Sequence, residues 1–237
     1  MSADNPHYQD ERKHAKPRLL DLFCGAGGAA MGYHRAGFDV WGIDHLPQPH
    51  YPFTFLQRDA LEFLQAYIDD DDHGPVDAIH ASPPCQAYSQ GKNIWHTRLP
   101  RERHPDLVGP TRQLLEAAGL PYVMENVVGA PLTNYVVLCG DMFGLGVKRH
   151  RLFETSFMVW NPPVCRSDHP DFFVSVFGGG AKAKKKGNGF PKTNIVHERA
   201  QKAMGIDWMN RDEMSQAIPP AYTEWIGRQL LEVLERV

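Results

Sequence analysis

The chain has 237 residues, 42% of them hydrophobic and 22% charged, with a formal net charge of -3. That size and make-up suit one α/β domain, alone or with a small lobe, and a slightly acidic total does not announce a nucleic-acid binder. No run of about 18 apolar residues marks a membrane span, and the polar start MSADNPHYQDERKHAKP lacks the apolar centre of a secretion signal, so the expected location is the cytoplasm.

In chain order, residues 1–16 read as a flexible lead-in. RLLDLFCG is an apolar strand ending in a turn, AAMGYHRAG a helix that Gly37 closes, and FDVWGIDH a second strand ending at Asp44. Asp59 leads into the helical pattern ALEFLQAYI, DDDDHGP interrupts it, and VDAIHAS is a third strand stopped by Pro83 and Pro84. This alternation predicts a parallel sheet covered by helices. Ligands in such sheets bind beyond the carboxyl ends of the strands. The glycine turn, Asp44, Asp59 and Cys85 all follow predicted strands and are therefore expected on one edge.

Residues 90–105 lack a period and read as a long loop or lid. PDLVGPTRQLLEAAG restores a helix, LPYVMENV is a strand carrying Glu125 and Asn126 at its end, and NYVVLCGDMFG a strand and turn. KRHRLFETSF sets basic residues before apolar ones. From Asn161 to Asn194 order weakens around the glycine- and lysine-rich GGGAKAKKKG. VHERAQKAMG is helical, and a last helix starts near Pro220, with Leu230, Leu231 and Leu234 on its buried face.

Four cysteines, Cys24, Cys85, Cys139 and Cys165, are too few for a disulfide scaffold. No pair has the CxxC spacing of a structural zinc site, and no metal is expected, although scattered His and Cys leave open a site assembled in space. The turn CGAGG is neither GxGxxG nor a phosphate loop, so a nucleoside-containing cofactor fits better than a triphosphate. Asp44 is placed to accept from ribose hydroxyls, Asp59 from an exocyclic amine, and Phe23 to stack on a base; a structural turn, a surface acid and a core ring are the plain alternatives. Cys85, on a stiff prolyl loop, is either a nucleophile or a small core residue. Nearby cations are expected to favour its thiolate. Glu125 can act as a carboxylic acid, and Arg149 and Arg151 alternate as if facing one pocket.

Taken together and in order, DLFCGAGG, PPCQAYS, ENV, VKRHR and QAIPPAYTEWIG resemble the DNA (cytosine-5) methyltransferase family over nearly the whole chain. The resemblance implies a Rossmann-like methyltransferase sheet with helices on both faces and a small, reduced recognition lobe. It implies S-adenosylmethionine as donor, released as S-adenosylhomocysteine, and C5 of cytosine in double-stranded DNA as acceptor, the base being flipped out of the stack. Asp21, Phe23, Gly25, Gly27, Asp44, Asp59, Pro83 and Gln216 would line the cofactor site. Cys85 would add to C6, Glu125 would contact N3 and the exocyclic amine, Arg151 would hold the base and Arg149 would assist at the catalytic loop. Gln86, Ser89, Lys182, Lys184, Lys185 and Lys186 would touch DNA, the lysines through phosphate rather than sequence.

The implied organisation is a lead-in 1–16, a catalytic core 17–153, a short recognition region 154–196 and closing helices 197–237. A monomer, short or relaxed site recognition, and a bacterial or phage-infected cell are the accompanying expectations. Val147 stands where the family usually has Gln, and Ser215 and Gln216 replace its Gly-Asn pair. The rival readings are a same-scaffold enzyme acting on RNA, free pyrimidine nucleotide or modified cytosine, or using another donor, and a DNA-binding protein without turnover.

Overall fold

The structure is a computed structural model, and it describes residues 16–70, 74–86, 88, 105–165, 176 and 194–236. Seven strands form one sheet in the order β3-β2-β1-β4-β5-β7-β6: β1 (Arg18–Leu22), β2 (Asp39–Asp44), β3 (Thr54–Gln57), β4 (Ala78–Ala81), β5 (Tyr122–Asn126), β6 (Tyr135–Leu138) and β7 (Arg151–Thr155). Strands β1 to β5 pair in parallel. The parallel sheet expected from the alternation is extended at one edge, where β7 runs antiparallel to both β5 and β6. The short turn into β7 reverses the chain beside β5, which a helical crossover would be needed to avoid. Strand β3 was not foreseen; Pro49 and Pro52 mask a short, half-buried edge strand.

Among the described residues six α-helices accompany the sheet: α1 (Gly28–Ala36), α2 (Ala60–Asp69), α3 (Val108–Ala117), α4 (Asn194–Met204), α5 (Arg211–Gln216) and α6 (Pro220–Leu234). Strand alternation sorts the two faces. Leu20, Leu22, Ile79, Ala81, Tyr122 and Met124 point to α2 and α3, packing with Phe63, Leu64 and Leu115. Leu19 and Ala78 pack with Tyr33 of α1 and Leu230 of α6, and Val123 with Ile226. The expected helices on both faces are therefore present. Helix α1 lies close on α6: a Cβ at Gly32 would sit 2.0 Å from Thr223 Oγ1 and 2.2 Å from the Pro220 carbonyl. Thr223 in turn donates to the Ala29 carbonyl at 2.8 Å. Pro220 suits its place at the start of α6, since a first-turn residue needs no amide donor.

Helix α5 was also unforeseen. Its signal is local: Asn210 accepts from the amides of Asp212 and Glu213, while Glu213 accepts from the Asn210 amide, a reciprocal cap that starts a helix too short to show a period. Strand β7 continues through Glu154 to Thr155. Glu154 is a sheet residue, 3% exposed, gripped by Arg112 through two 2.7 Å bonds and by the Thr133 amide. Among the described residues no helix is long and apolar enough to cross a membrane.

Candidate functional site

Three acid or imidazole side chains share the α1/α6 face near the carboxyl edge of the sheet. Asp21 of β1 sits in register with His80 of β4, and His80 with Val123 of β5, two residues before Glu125. All three are buried. The direction of travel reverses between β1 and β4, where such sheets bind ligands.

On the β1–β2 side the turn after β1 is built from left-handed backbone: Phe23 has φ 57, Gly25 φ 49 and Gly27 φ 82. For Phe23 that conformation costs of order 1–3 kcal/mol and is held by its surroundings. A Cβ on Gly25 would meet nothing within 4 Å, so space opens above it. Asp44 stitches the turn to β2, accepting from the amides of Gly25 at 3.1 Å and Leu46 at 3.0 Å. Asp21 is 1% exposed, with the Tyr51 hydroxyl beside it. Burial, then the Asp44 charge, push its pKa well above the usual carboxylate range, against a smaller opposite pull from Tyr51.

Asp59 is exposed and its Oδ1 caps α2, accepting from Leu61 and Glu62 amides at 2.9 and 3.0 Å. It also edges a hollow of about 420 Å³ whose lining, Arg58, Asp59, Glu62, Phe63 and Ala66, includes neither Asp21 nor Asp44. The C-terminal helices close over the turn. Trp208 Nε1 donates to the Ala26 carbonyl at 2.8 Å, and Val147 packs with Ala26 and Met204. Val147 thus fills apolar space, 1% exposed. Gln216 ends α5 as an exposed residue.

On the β4–β5 side Cys85 follows the prolyl turn and is half-buried. Asn126 Nδ2 fixes that turn by donating to the buried Pro83 carbonyl at 2.9 Å. Glu125, 5% exposed, lies 3.1 Å from Arg151 Nε. Its pKa is raised: burial outweighs Arg151, a Ser82 hydroxyl bond and Arg149, all of which pull it down. The expectation of a Cys85 thiolate is corrected. Burial and the Glu125 charge raise the thiol's pKa, and Arg151 and Arg149 only partly offset them. The resting group is a thiol, because the carboxylate stands as near to it in effect as the cations do.

Arg149 takes a left-handed conformation, φ 29, with its carbonyl accepting from Tyr222 Oη at 2.9 Å. Its guanidinium donates to the carbonyls of Val176 at 2.9 Å and Ser215 at 2.8 Å, while its buried Nε has no partner among the described residues. Burial first, then Arg151, lower its pKa to about 9. Both arginines nevertheless act electrostatically on Cys85 and Glu125.

Sequence reasoning passed over the support beneath Glu125. Tyr33 Oη lies 3.0 Å from His80 Nδ1, and His80 Nε2 lies 2.9 Å from Ser82 Oγ, which bonds Glu125. Burial holds His80 neutral, its pKa pushed down to about 3. The available signal was an imidazole in the middle of an apolar strand, VDAIHAS. Gln86 is exposed at the mouth of the loop. Ser89, Lys182, Lys184, Lys185, Lys186 and nearly all of the expected lid lie outside the described residues.

Asp21 is a buried acid beside the Asp44 charge and the Tyr51 hydroxyl, at a turn open above Gly25, a setting that a cationic group would relieve. Asp44 keeps acceptor capacity beyond its two amide bonds.

Residues 17–130 match the family described as C-5 cytosine-specific DNA methylase. Type II methyltransferase M.AplI of Arthrospira platensis is 34% identical over 162 residues, covering 61% of this chain and 47% of its own. Type II methyltransferase M1.HphI of Haemophilus parahaemolyticus is 32% identical over 118 residues, 46% of this chain and 32% of its own. The chain thus spans a third to a half of the length of these curated relatives. In fold, the Entamoeba histolytica methyltransferase EhMeth superposes with a TM-score of 0.58 at 11% identity, covering 93% of this chain and 99% of that one. Residues 17–130 are thus similar in sequence to C-5 cytosine-specific DNA methylases, and nearly the whole chain shares its fold with a methyltransferase.

Proposed function

We propose that the protein methylates cytosine at C5 in DNA. The observation that supports this best is the buried Glu125 carboxyl, paired with Arg151 and acting with both arginines on the Cys85 thiol, on the sheet edge that also carries the buried Asp21.

Asp21, Gly25, Gly27 and Asp44 would hold S-adenosylmethionine, with Phe23 against its base. Asp59 would use the oxygen that does not cap α2, and Pro83 and Gln216 would lie at its margins. When bound, the cofactor supplies an electrophilic methyl group. Cytosine C5 is a poor nucleophile. Cys85 gives its proton to solvent water and its sulfur adds to C6, which places the electron pair on C5 as an enamine. Glu125, whose raised pKa keeps a proton available, donates to N3 and limits the charge gathering on the ring. Protonating Glu125 also removes the negative charge that holds the Cys85 thiol up, so the same proton that prepares the acid favours the nucleophile. Arg151 orients the Glu125 carboxyl and the base. Arg149 acts as a positioning residue, fixing the end of α5 against the site. After C5 loses its proton to a base or water, the C6–S bond breaks and Cys85 is regenerated.

The base must leave the helical stack to meet these groups. The interval from Glu154 to Val196 is short for a sequence-reading lobe, which favours short or relaxed recognition with phosphate contacts from the lysine group. Methylation mapping on mixed-sequence duplex DNA tests that reading, and a strict site of six or more base pairs refutes it. The activity itself is tested by supplying labelled donor with duplex DNA, single-stranded DNA, RNA or dCMP and analysing the nucleosides. Label at C5 of deoxycytidine from DNA is expected. Label confined to RNA or dCMP, or DNA binding with no label, overturns it in favour of the rival readings.

A further inference from the structure

We propose that Cys139, His150 and Cys165 form a site for one thiophilic divalent cation, zinc foremost, that pins the chain beyond β7 to the strand ends carrying Arg149 and Arg151. One ligand atom from each residue lies within 4.8 Å of the other two. His150 Nε2 stands 3.4 Å from Cys165 Sγ. Two thiols and an imidazole are the donor set that zinc selects over calcium or magnesium.

The frame is fixed before any cation arrives. Leu138 and Arg151 are the last paired residues of β6 and β7, so Cys139 and His150 flank each other one residue beyond the ladder. The Cys139 amide region is closed by Gly140, whose N–H donates to the Lys148 carbonyl at 2.9 Å, and Cys139 Sγ points to the same carbonyl. Gly140 can make this approach because it lacks a Cβ, which would meet the Val147 carbonyl at 1.9 Å. Cys165 arrives from the segment after β7 and completes the group. A tetrahedral site with bonds of about 2.0–2.3 Å separates its ligand atoms by roughly 3.7 Å. The observed spacing closes to that by side-chain rotation. Cys139 is buried while His150 and Cys165 are partly open, so the cation has a way in and water can take the fourth position.

Binding balances as zinc plus two thiols and a neutral imidazole giving a bis-thiolate complex and two protons released to solvent. The product fastens residue 165 to residue 150, which lies between the two arginines. Arg149 already reaches forward to Val176. A cation on Cys165 would tie the first part of the proposed 154–196 recognition region to these strand ends. The site does not depend on the proposed activity.

The test is metal analysis of the full chain, purified reduced, without a polyhistidine tag or chelator. About one zinc per chain is expected. After removal of zinc, cobalt(II) titration is expected to give thiolate-to-cobalt charge-transfer absorption, saturating at about one equivalent. Cys165→Ser and His150→Ala are expected to weaken zinc binding by about tenfold or more, whereas Cys85→Ser leaves it unchanged. Added zinc is expected to raise the melting temperature of wild type more than that of either ligand variant. Folded, reduced wild type that takes up neither zinc nor cobalt overturns the proposal, and so does unchanged stoichiometry and affinity in Cys165→Ser. Isolation of a Cys139–Cys165 disulfide with no metal uptake after its reduction also overturns it. The cobalt spectrum is read on wild type, so a variant that fails to fold does not shield the idea.

Discussion

Replacing His80 by Gln should change how the protein responds to acid, and the size of that change follows from one buried imidazole. His80 is 0% exposed, its two nitrogens face Tyr33 and Ser82, and burial pushes its pKa from 6.5 to about 3. A depressed folded-state pKa contributes stability that is present above the unfolded value and is lost as pH falls from about 6.5 toward 3. Between pH 7 and pH 5 the unfolded chain takes up most of a proton that the native chain refuses. That corresponds to about 2 kcal/mol lost, and the whole 3.5-unit window to about 5 kcal/mol. Asp21 and Glu125, with raised values, work in the opposite direction over part of this range. The raw wild-type slope therefore mixes contributions, and the comparison with His80→Gln isolates this one. Urea unfolding of both proteins at pH 7 and pH 5 is the assay. The variant should start less stable at pH 7 but lose about 2 kcal/mol less than wild type on acidification. Equal losses in the two proteins would refute a neutral, buried His80.

Four further outcomes follow from other parts of the fold. Cys85→Ser should abolish methyl incorporation while leaving the melting temperature close to wild type, because the thiol is half-buried and a hydroxyl is nearly isosteric with it; label incorporation with calorimetry checks both. Glu125→Gln should lower turnover by about 10²-fold or more, because the amide cannot pass a proton to N3, with DNA retention on a filter showing that binding survives. Arg112→Ala should cost about 3–5 kcal/mol in denaturant unfolding at neutral pH, since it removes the counter-charge of the 3% exposed Glu154 carboxylate and leaves it the Thr133 amide and a long Tyr122 hydroxyl bond. Gly32→Ala should cost more than about 3 kcal/mol or prevent folding, because its methyl overlaps Thr223 Oγ1 and the Pro220 carbonyl and must push α6 off α1; soluble yield and unfolding curves decide it.

Much of the architecture is written locally in this chain. The period of RLLDL, DVWGID and AIHA, the helix patterns between them and the stops at Gly37 and Pro83 depend on neighbours a few residues away, and they foretold these three strands and their parallel run. The order of the glycine turn, the prolyl cysteine, the ENV strand and the paired arginines likewise pointed to one chemistry before any coordinate was known. What failed locally was short or masked by turn residues, as in β3 and α5, where too few residues exist to display a period.

Tertiary structure alone decided the states of the groups. Sequence places two arginines near Cys85, but whether its thiol is raised or lowered is a sum over burial and three charges whose distances no spacing encodes. The Tyr33–His80–Ser82 support joins residues 47 and 2 positions apart, and the Cys139, His150 and Cys165 group forms only because β6 and β7 run antiparallel and bring their ends together. Element type is a short-range property of the backbone, whereas protonation and coordination depend on through-space neighbours, which exist only once the chain has closed on itself.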